Sequence, residues 1–189
     1  MNSHLPLGQN LTILVCSCDS YQDLWIPFFT LLKKYWDPKD IQILLNTESY
    51  DFPFDGLDIT VVHSPCEKNY GQRMLNALSC VNTKYVLPLL DDFFLRSPVD
   101  ENRIREIIRW MDEDSNIAYF NCDSTEVYAD WEINRYPGFR RIPPGNRYIF
   151  NMQAAIWRTN ILKKCWLPNV SPWEWEMLSN TKVDRKSVV

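Results

Sequence analysis

The chain has 189 residues, 46% of them apolar, which suits one packed domain and excludes a mainly disordered protein. Its 20 lysine and arginine residues against 24 aspartate and glutamate residues leave a formal charge of −4, which argues against a dedicated nucleic-acid-binding protein. No run approaches the roughly 20 consecutive apolar residues that a membrane-spanning helix needs.

Apolar patterning predicts strands that alternate with helices along the chain. Short apolar runs predict buried strands at 11–16, 41–45, 59–62, 85–90 and 117–121, and a longer strand at 148–157. Apolar residues at helical spacing predict helices over 24–35, 74–81 and 104–111, the last capped by Asp100. The Pro-, Gly- and Arg-rich stretch 136–147 is predicted as an exposed loop, and Ser171-Pro172 begins a short final helix.

This alternation predicts one α/β domain over residues 1–189, with a mostly parallel sheet covered by helices on both faces. Ligands bind such sheets beyond the carboxyl ends of the strands, so the chemistry is expected just after Cys16, Leu45 and Leu90, where polar residues cluster. Six cysteines without CxxC pairs are typical of reduced intracellular thiols, and the first ten residues lack the basic start of a secretory signal. A cytoplasmic protein is therefore expected.

Two adjacent carboxylates, Asp91 and Asp92, follow the predicted strand 85–90 directly. Mg²⁺ and Mn²⁺ prefer oxygen ligands and are often held by one or two carboxylates, with substrate phosphates completing the coordination. The spacing therefore permits a divalent-cation site. It equally permits two aspartates that only end a strand and cap a turn, where Asp is common.

The surrounding sequence resembles the nucleotide-sugar half of GT-A glycosyltransferases. The helix-opening segment Asn69-Tyr-Gly-Gln-Arg73-Met-Leu-Asn76 leads through the strand that begins Lys84-Tyr-Val86 into Asp91-Asp92, an order similar to the family's helix, strand and acidic DxD motif. A strict DxD would need acids at positions 90 and 92 or 91 and 93, and neither pair is present. The chain is therefore similar to variants in which a single Asp holds the metal.

The resemblance covers most of the chain, from Leu11 to Leu178, and implies a Rossmann-like three-layer GT-A fold. It implies a divalent cation, Mn²⁺ or Mg²⁺, held by Asp92 with help from Asp91. It also implies a nucleotide site at the ends of the first, second and fourth strands. The residues expected to contact the nucleotide are Ser17, Asp19, Tyr21, Thr47, Glu48, Arg73, Asn76 and Asp91.

A second acidic segment, Ser171-Pro-Trp-Glu174-Trp-Glu176, begins the predicted final helix. By resemblance it corresponds to the motif that supplies the catalytic base of inverting GT-A enzymes, with Glu176 as the first candidate and Glu174 as the second. Glu174 also has a structural explanation, because Ser171 and Glu174 have the spacing of a capping box. Trp173 and Trp175 are candidates for an acceptor platform, and core packing explains them equally well.

Arg140 in the predicted loop and Gln153 in the predicted strand are further candidates for acceptor contacts, although a solvated loop also explains Arg140. The resemblance implies metal-assisted, inverting transfer from a UDP-linked donor to a carbohydrate or lipid-linked saccharide in bacterial surface-polysaccharide synthesis. It leaves peripheral membrane association open. The alternative is a non-catalytic nucleotide- or carbohydrate-binding domain that keeps the fold, which a chain truncated at its C-terminus would favour.

Overall fold

A computed structural model describes residues 6–65, 69–122, 135–140, 142 and 149–178. Within these ranges, six strands form one sheet in the order β3-β2-β1-β4-β6-β5. The strands are β1 (Leu11–Cys16), β2 (Gln42–Thr47), β3 (Ile59–His63), β4 (Tyr85–Leu90), β5 (Tyr119–Asn121) and β6 (Ala155–Arg158). The helices are α1 (Gln22–Tyr35), α2 (Tyr70–Ser79), α3 (Glu101–Glu113), α4 (Thr159–Cys165) and α5 (Pro172–Leu178).

Strands β1 to β4 run parallel to one another, whereas β6 is antiparallel to both β4 and β5. The inner strands form because their sequences are apolar on both faces: every residue of β1 is buried, as are five of the six residues in β2 and in β4. Parallel strands that are buried on both faces require helices on both sides of the sheet.

Side chains along β1 alternate between two hydrophobic cores. Leu11, Ile13 and Val15 contribute to the core formed with α1 and α3. Leu14 and Cys16 contribute to the core on the opposite face, formed with α2, α4 and α5. The molecule therefore has the predicted three-layer α/β architecture. The two cores hold the sheet from both faces, and so fix the edge at which the parallel strands end.

Most predicted elements are confirmed. Asp100 caps α3 as expected, because its carboxylate accepts the N–H groups of Asn102 at 3.0 Å and Arg103 at 3.2 Å. Helix α4 was not predicted, since it is only seven residues long and mostly polar. None of the described helices is both long and apolar enough to cross a lipid bilayer.

The predicted strand over 148–157 is wrong for most of its length. Strand β6 covers only Ala155–Arg158, and the described residues before it form bends. The side chain of Asn151 accepts the N–H of Gln153 at 3.1 Å, a local turn that competes with strand pairing. Ile149 and Phe150 are nevertheless buried, which explains why the segment has the apolar pattern of a strand.

The predicted exposed loop over 136–147 is confirmed at Pro137, Gly138 and Arg140, which are exposed, but is wrong at Tyr136. Tyr136 is only 4% exposed and donates to Asp114 Oδ2 at 3.0 Å. The guanidinium of Arg103 lies 4.8 Å from the centroid of the Phe139 ring. Aromatic packing therefore attaches the first part of this segment to α3, while residues 141 and 143–147 lie outside the described ranges.

Candidate functional site

The carboxyl ends of three neighbouring strands open onto one edge of the sheet. Cys16, the last residue of β1, is paired with Asn46 of β2 and with Leu90 of β4. The residues at and just beyond these strand ends, at 17–19, 47–48 and 91–92, therefore meet although they are distant in the sequence. This is the place where the parallel sheet is expected to bind a ligand.

Asp91 is the buried carboxylate of this edge, at 7% exposure. Ser17 Oγ donates to Asp91 Oδ2, and Trp25 Nε1 donates to Ser17 Oγ at 2.6 Å. Burial raises the pKa of the Asp91 carboxyl above its ordinary value, and the nearby charges of Asp92 and Asp23 raise it further, against the opposing hydrogen bond. Asp91 is thus a fixed carboxylate whose ionised form is destabilised by burial and by neighbouring negative charges.

Asp92 is exposed and lies in a tight turn, in which Phe93 N–H donates to Leu90 O and Phe94 N–H donates to Asp92 O, both at 3.0 Å. Among the described residues, no side chain bonds the Asp92 carboxylate. The turn therefore presents one open carboxylate beside the fixed one.

The donor set fits a hard divalent cation that is shared with a phosphate ligand. The described residues contain no group of three or more His, Cys, Asp and Glu side chains that could hold a metal ion by themselves. Mg²⁺ and Mn²⁺ are commonly bound through one or two carboxylates and substrate phosphates, and the two aspartates supply those carboxylates.

Glu48 and Arg73 form an ion pair beside these aspartates. Arg73 Nη1 contacts Glu48 Oε1, and the two side chains are only 14% and 15% exposed. The other Glu48 oxygen accepts the N–H of Asp19. A half-buried carboxylate and guanidinium, held side by side, offer an acceptor and several donors to a planar polar ligand.

Asp19 organises the turn that carries Glu48. Its carboxylate accepts the N–H of Glu48 at 3.0 Å, the N–H of Tyr50 at 3.3 Å and the hydroxyl of Ser49 at 2.6 Å. Burial alone would raise the pKa of Asp19, but the hydrogen bonds from Ser49 and Tyr50 outweigh it and lower that pKa. Asp19 therefore remains ionised and fixes the turn after β2.

Three other predicted nucleotide-binding residues have different places. Thr47 is buried and donates to Tyr50 O at 3.1 Å, and Asn76 donates to Ser64 Oγ at 2.9 Å. Both side chains form hydrogen bonds within the protein, so they support the site's backbone and are not open to a ligand at these donor atoms. Tyr21 is 54% exposed at the rim of the same edge.

The start of α2 packs against the segment that leads to α5. Gly71 N–H donates to Val170 O at 3.1 Å, and a Cβ atom on Gly71 would lie 2.3 Å from Leu167 O. Only glycine permits such a close backbone approach. This contact brings α5, with Glu176, to the helix that also carries Arg73.

The two glutamates of α5 have different environments. Glu174 Oε2 accepts the Ser171 N–H at 2.8 Å and Ser171 Oγ accepts the Glu174 N–H at 3.3 Å, which is a capping box that lowers the pKa of Glu174. Glu176 is half-buried, and its Oε1 accepts the N–H of Met152 at 2.7 Å. No described residue bonds its second oxygen. Glu176 therefore has an oxygen available to a ligand, while Glu174 has a structural role.

Trp173 and Trp175 lie on opposite sides of α5. Trp173 is 74% exposed, whereas Trp175 is 1% exposed, donates to Cys165 O at 3.2 Å and stacks on Trp166 with ring centroids 4.2 Å apart. Trp175 therefore belongs to the core, and the expectation that it forms an acceptor platform is corrected. Trp173 keeps an exposed ring.

We expect Trp175→Ala to lower the free energy of unfolding by about 3–5 kcal/mol, because it leaves a cavity in the core and removes the hydrogen bond from Trp175 Nε1 to Cys165 O. Trp173→Ala on the same helix is the matched control and should change it by no more than about 0.5 kcal/mol. Urea denaturation of both variants measures the difference. Equal losses in the two variants would contradict this placement of α5.

The predicted acceptor residues Gln153 and Arg140 are both exposed, and Gln153 lies in a bend rather than on a strand. No contact between described residues brings either against Glu176. Two groups beside α5 were not anticipated: the backbone N–H of Met152, which holds Glu176, and the hydroxyl of Tyr70. Tyr70 lies inside the segment 69–76, which the sequence already places at the candidate site. An aromatic residue at the start of that helix could therefore have indicated Tyr70 from the sequence.

Replacement of Asp91 by asparagine is expected to stabilise the protein without ligand by about 1 kcal/mol at neutral pH. Because the folded-state pKa of Asp91 is raised, its ionised form costs stability above that pKa, and asparagine removes this cost. The difference in Tm between variant and wild type should shrink as the pH falls through the raised pKa and Asp91 becomes neutral. Thermal unfolding across a pH series measures it, and a difference that is constant with pH would contradict the assignment.

No protein-family model and no curated protein sequence matches the chain. Among solved structures, it is similar to S. aureus TarS 1-349 in complex with UDP, with a TM-score of 0.59 and 16% identity over 95% of this chain. It is similar to the mannosyltransferase PcManGT from Pyrobaculum calidifontis in complex with GDP-Man and Mn²⁺, with a TM-score of 0.58 and 12% identity over 92% of this chain. For the galactosyltransferase LgtC in complex with donor and acceptor sugar analogs, the TM-score is 0.50 at 12% identity over 92% of this chain.

These likenesses show the fold. The chain has the GT-A-type α/β fold of nucleotide-sugar glycosyltransferases, as the sequence resemblance predicted. It spans 35% of a TarS chain, 57% of TarS 1-349, 51% of PcManGT and 66% of LgtC, and so corresponds to part of each.

Proposed function

We propose that this chain transfers a sugar from a UDP-linked donor to a carbohydrate or lipid-linked saccharide acceptor, by cation-assisted displacement with inversion. The observation that carries the proposal is the Asp91–Asp92 turn beside the Glu48–Arg73 pair, at the carboxyl edge of a GT-A sheet. The setting we propose is bacterial surface-polysaccharide synthesis in the cytoplasm, with peripheral association at the inner face of the membrane.

The diphosphate end of the donor is assigned to Asp92, with Asp91 beside it. A bound Mn²⁺ or Mg²⁺ would neutralise the charge that develops on the departing diphosphate. Ser17 holds Asp91 and Trp25 holds Ser17, so Asp91 is the fixed member of the pair. Asp92 is exposed and can adjust to the cation, while the remaining coordination positions suit phosphate oxygens.

The base end of the donor is assigned to Glu48 and Arg73. The edge of uracil presents one N–H donor flanked by two carbonyl acceptors, and a carboxylate next to a guanidinium offers the complementary groups. Arginine carries five N–H donors, so its contact with Glu48 leaves donors for a base. Asp19 keeps Glu48 in place, and the exposed ring of Tyr21 forms the rim.

Glu176 is assigned as the general base. As the acceptor hydroxyl oxygen bonds to C1 of the donor sugar, the bond from C1 to the UDP oxygen breaks, and the second Glu176 oxygen takes the hydroxyl proton. The N–H of Met152 fixes the carboxylate for this step. The exposed ring of Trp173 offers an apolar face to an acceptor sugar, and Arg140 and Gln153 are proposed on the acceptor side.

The alternative function is nucleotide-sugar binding without turnover, and hydrolysis separates the two. A positioned base and a cation site let water replace the acceptor, so slow Mn²⁺-dependent release of UDP from a UDP-sugar is expected. The measurement is free UDP over time for a panel of UDP-sugars, with and without EDTA. UDP-sugar binding without any hydrolysis would support the binding domain instead.

A further inference from the structure

Tyr70, the first residue of α2, carries a hydroxyl without a strong acceptor. Its ring is half-buried and packs near Trp166, with ring centroids 6.1 Å apart. Among the described residues, the only hydrogen-bond partner of the hydroxyl is Met152 Sδ at 3.9 Å. Thioethers are weak acceptors, and phenols in protein interiors usually find an oxygen or nitrogen. The site therefore holds a strong donor that the protein itself does not use.

Tyr70 lies close to both Glu176 and Asp91, the two carboxylates assigned to opposite ends of the proposed active site. Met152, whose sulfur lies against the phenol, also uses its backbone N–H to hold Glu176. Burial raises the pKa of Tyr70 well above its ordinary value, and the nearby carboxylates of Glu176 and Asp91 raise it further. The hydroxyl therefore stays protonated at neutral pH and can always donate a hydrogen bond.

We propose that the Tyr70 hydroxyl donates a hydrogen bond to an oxygen of the transferred sugar. This inference rests on the proposed function, in which the diphosphate lies at Asp91 and Asp92 and the attacking hydroxyl lies at Glu176. The transferred sugar must occupy the space between them, because its C1 is bonded to the diphosphate and attacked from the base. Tyr70 is accordingly a donor-sugar contact, distinct from the contacts to nucleotide and cation.

The packing of the ring makes Tyr70 a rigid contact. The backbone at the start of α2 is fixed by the Asn69 cap, whose side chain accepts the Gln72 N–H at 3.0 Å, and by the Gly71 contact with Val170. A phenol held in this way loses little conformational entropy on binding. Its hydroxyl therefore selects among donor sugars by the position of their oxygens.

The test is Tyr70→Phe, which keeps the ring and removes only the hydroxyl. UDP and a panel of UDP-sugars (UDP-glucose, UDP-galactose and UDP-N-acetylglucosamine) are titrated into the protein in the presence of Mn²⁺. We expect the affinity for UDP to change by less than about twofold, and the affinity for the preferred UDP-sugar to fall by about tenfold. The selectivity among the three sugars should fall with it.

Tyr85→Phe is the matched control. Tyr85 begins β4 at the opposite end from Asp91, and its hydroxyl donates to Asp112 Oδ1 at 2.7 Å. Tyr85→Phe should leave both affinities unchanged, even if its Tm falls.

The outcomes separate this inference from the proposed function. Equal affinity losses for UDP and UDP-sugar in Tyr70→Phe, or no loss for either, would overturn the sugar contact while leaving the enzyme assignment in place. The sugar contact would also be overturned if the wild-type protein bound UDP and bound none of the three UDP-sugars more tightly than UDP. Failure of the wild type to bind any uridine nucleotide would overturn the proposed function, and the Tyr70 contact with it.

Discussion

Replacement of Asp92 by alanine is expected to abolish the Mn²⁺-dependent part of UDP binding. Asp92 is the open carboxylate of the pair, because Asp91 is buried and already accepts a hydrogen bond from Ser17. The loss of a cation ligand removes several kcal/mol of interaction with the diphosphate, which corresponds to a fall in UDP affinity of about 100-fold or more. Titration calorimetry with UDP in Mn²⁺ measures it.

Two features make this experiment decisive. Asp92 is exposed, so the alanine variant is expected to keep the wild-type Tm within the error of the measurement. Asp58→Ala removes the same charge from an exposed position before β3, at the other end of the sheet, and should leave UDP affinity unchanged. An Asp92→Ala protein that still binds UDP more tightly in Mn²⁺ than in EDTA would refute the assignment.

Glu176→Gln is expected to reduce the turnover of UDP-sugars by about 100-fold to 10,000-fold, because glutamine cannot accept the hydroxyl proton. Its side-chain oxygen can still accept the Met152 N–H, so the fold and the affinity for UDP should be unchanged. The rate constant at saturating donor is the relevant measurement, since loss of a base lowers kcat rather than raising KM.

Glu174→Gln supplies the matched control on the same helix. Glutamine is also accepted at the third position of a capping box, and Glu174 is exposed. We therefore expect turnover within about twofold of wild type. If Glu174→Gln lost turnover while Glu176→Gln kept it, the two glutamates would have to exchange roles.

The sheet and its ligand-binding edge could be predicted from the sequence for a physical reason. Strands such as β1 and β4 are buried on both faces, so they read as continuous apolar runs, and a polar residue directly after such a run marks the strand end. Asp91 and Asp92 were found in this way. The helix that carries Arg73 followed from its helical spacing of apolar residues.

Contacts between distant positions could not be predicted in this way. Arg73 and Glu48 are 25 positions apart and Tyr70 and Met152 are 82 apart, so only the packed structure shows that they meet. The expected strand at 148–157 is wrong for most of its length because the Asn151 side chain accepts the N–H of Gln153, a local hydrogen bond that apolar patterning does not record.

The two tryptophans of α5 show the same limit. Residues two apart on a helix point to different sides, so the sequence indicates that Trp173 and Trp175 differ in environment. Which of them faces the core depends on how α5 packs against α2, through the contact of Gly71 with Val170. Burial of Trp175 is therefore a property of the assembled fold.

The most direct measurement is the affinity of the wild-type protein for UDP and for uridine, each in Mn²⁺ and in EDTA. If two carboxylates beyond β4 hold a cation that binds the diphosphate, UDP should bind at least about tenfold more tightly in Mn²⁺. Uridine, which has no phosphate, should show no such difference. Equal UDP affinity in both conditions would contradict the account.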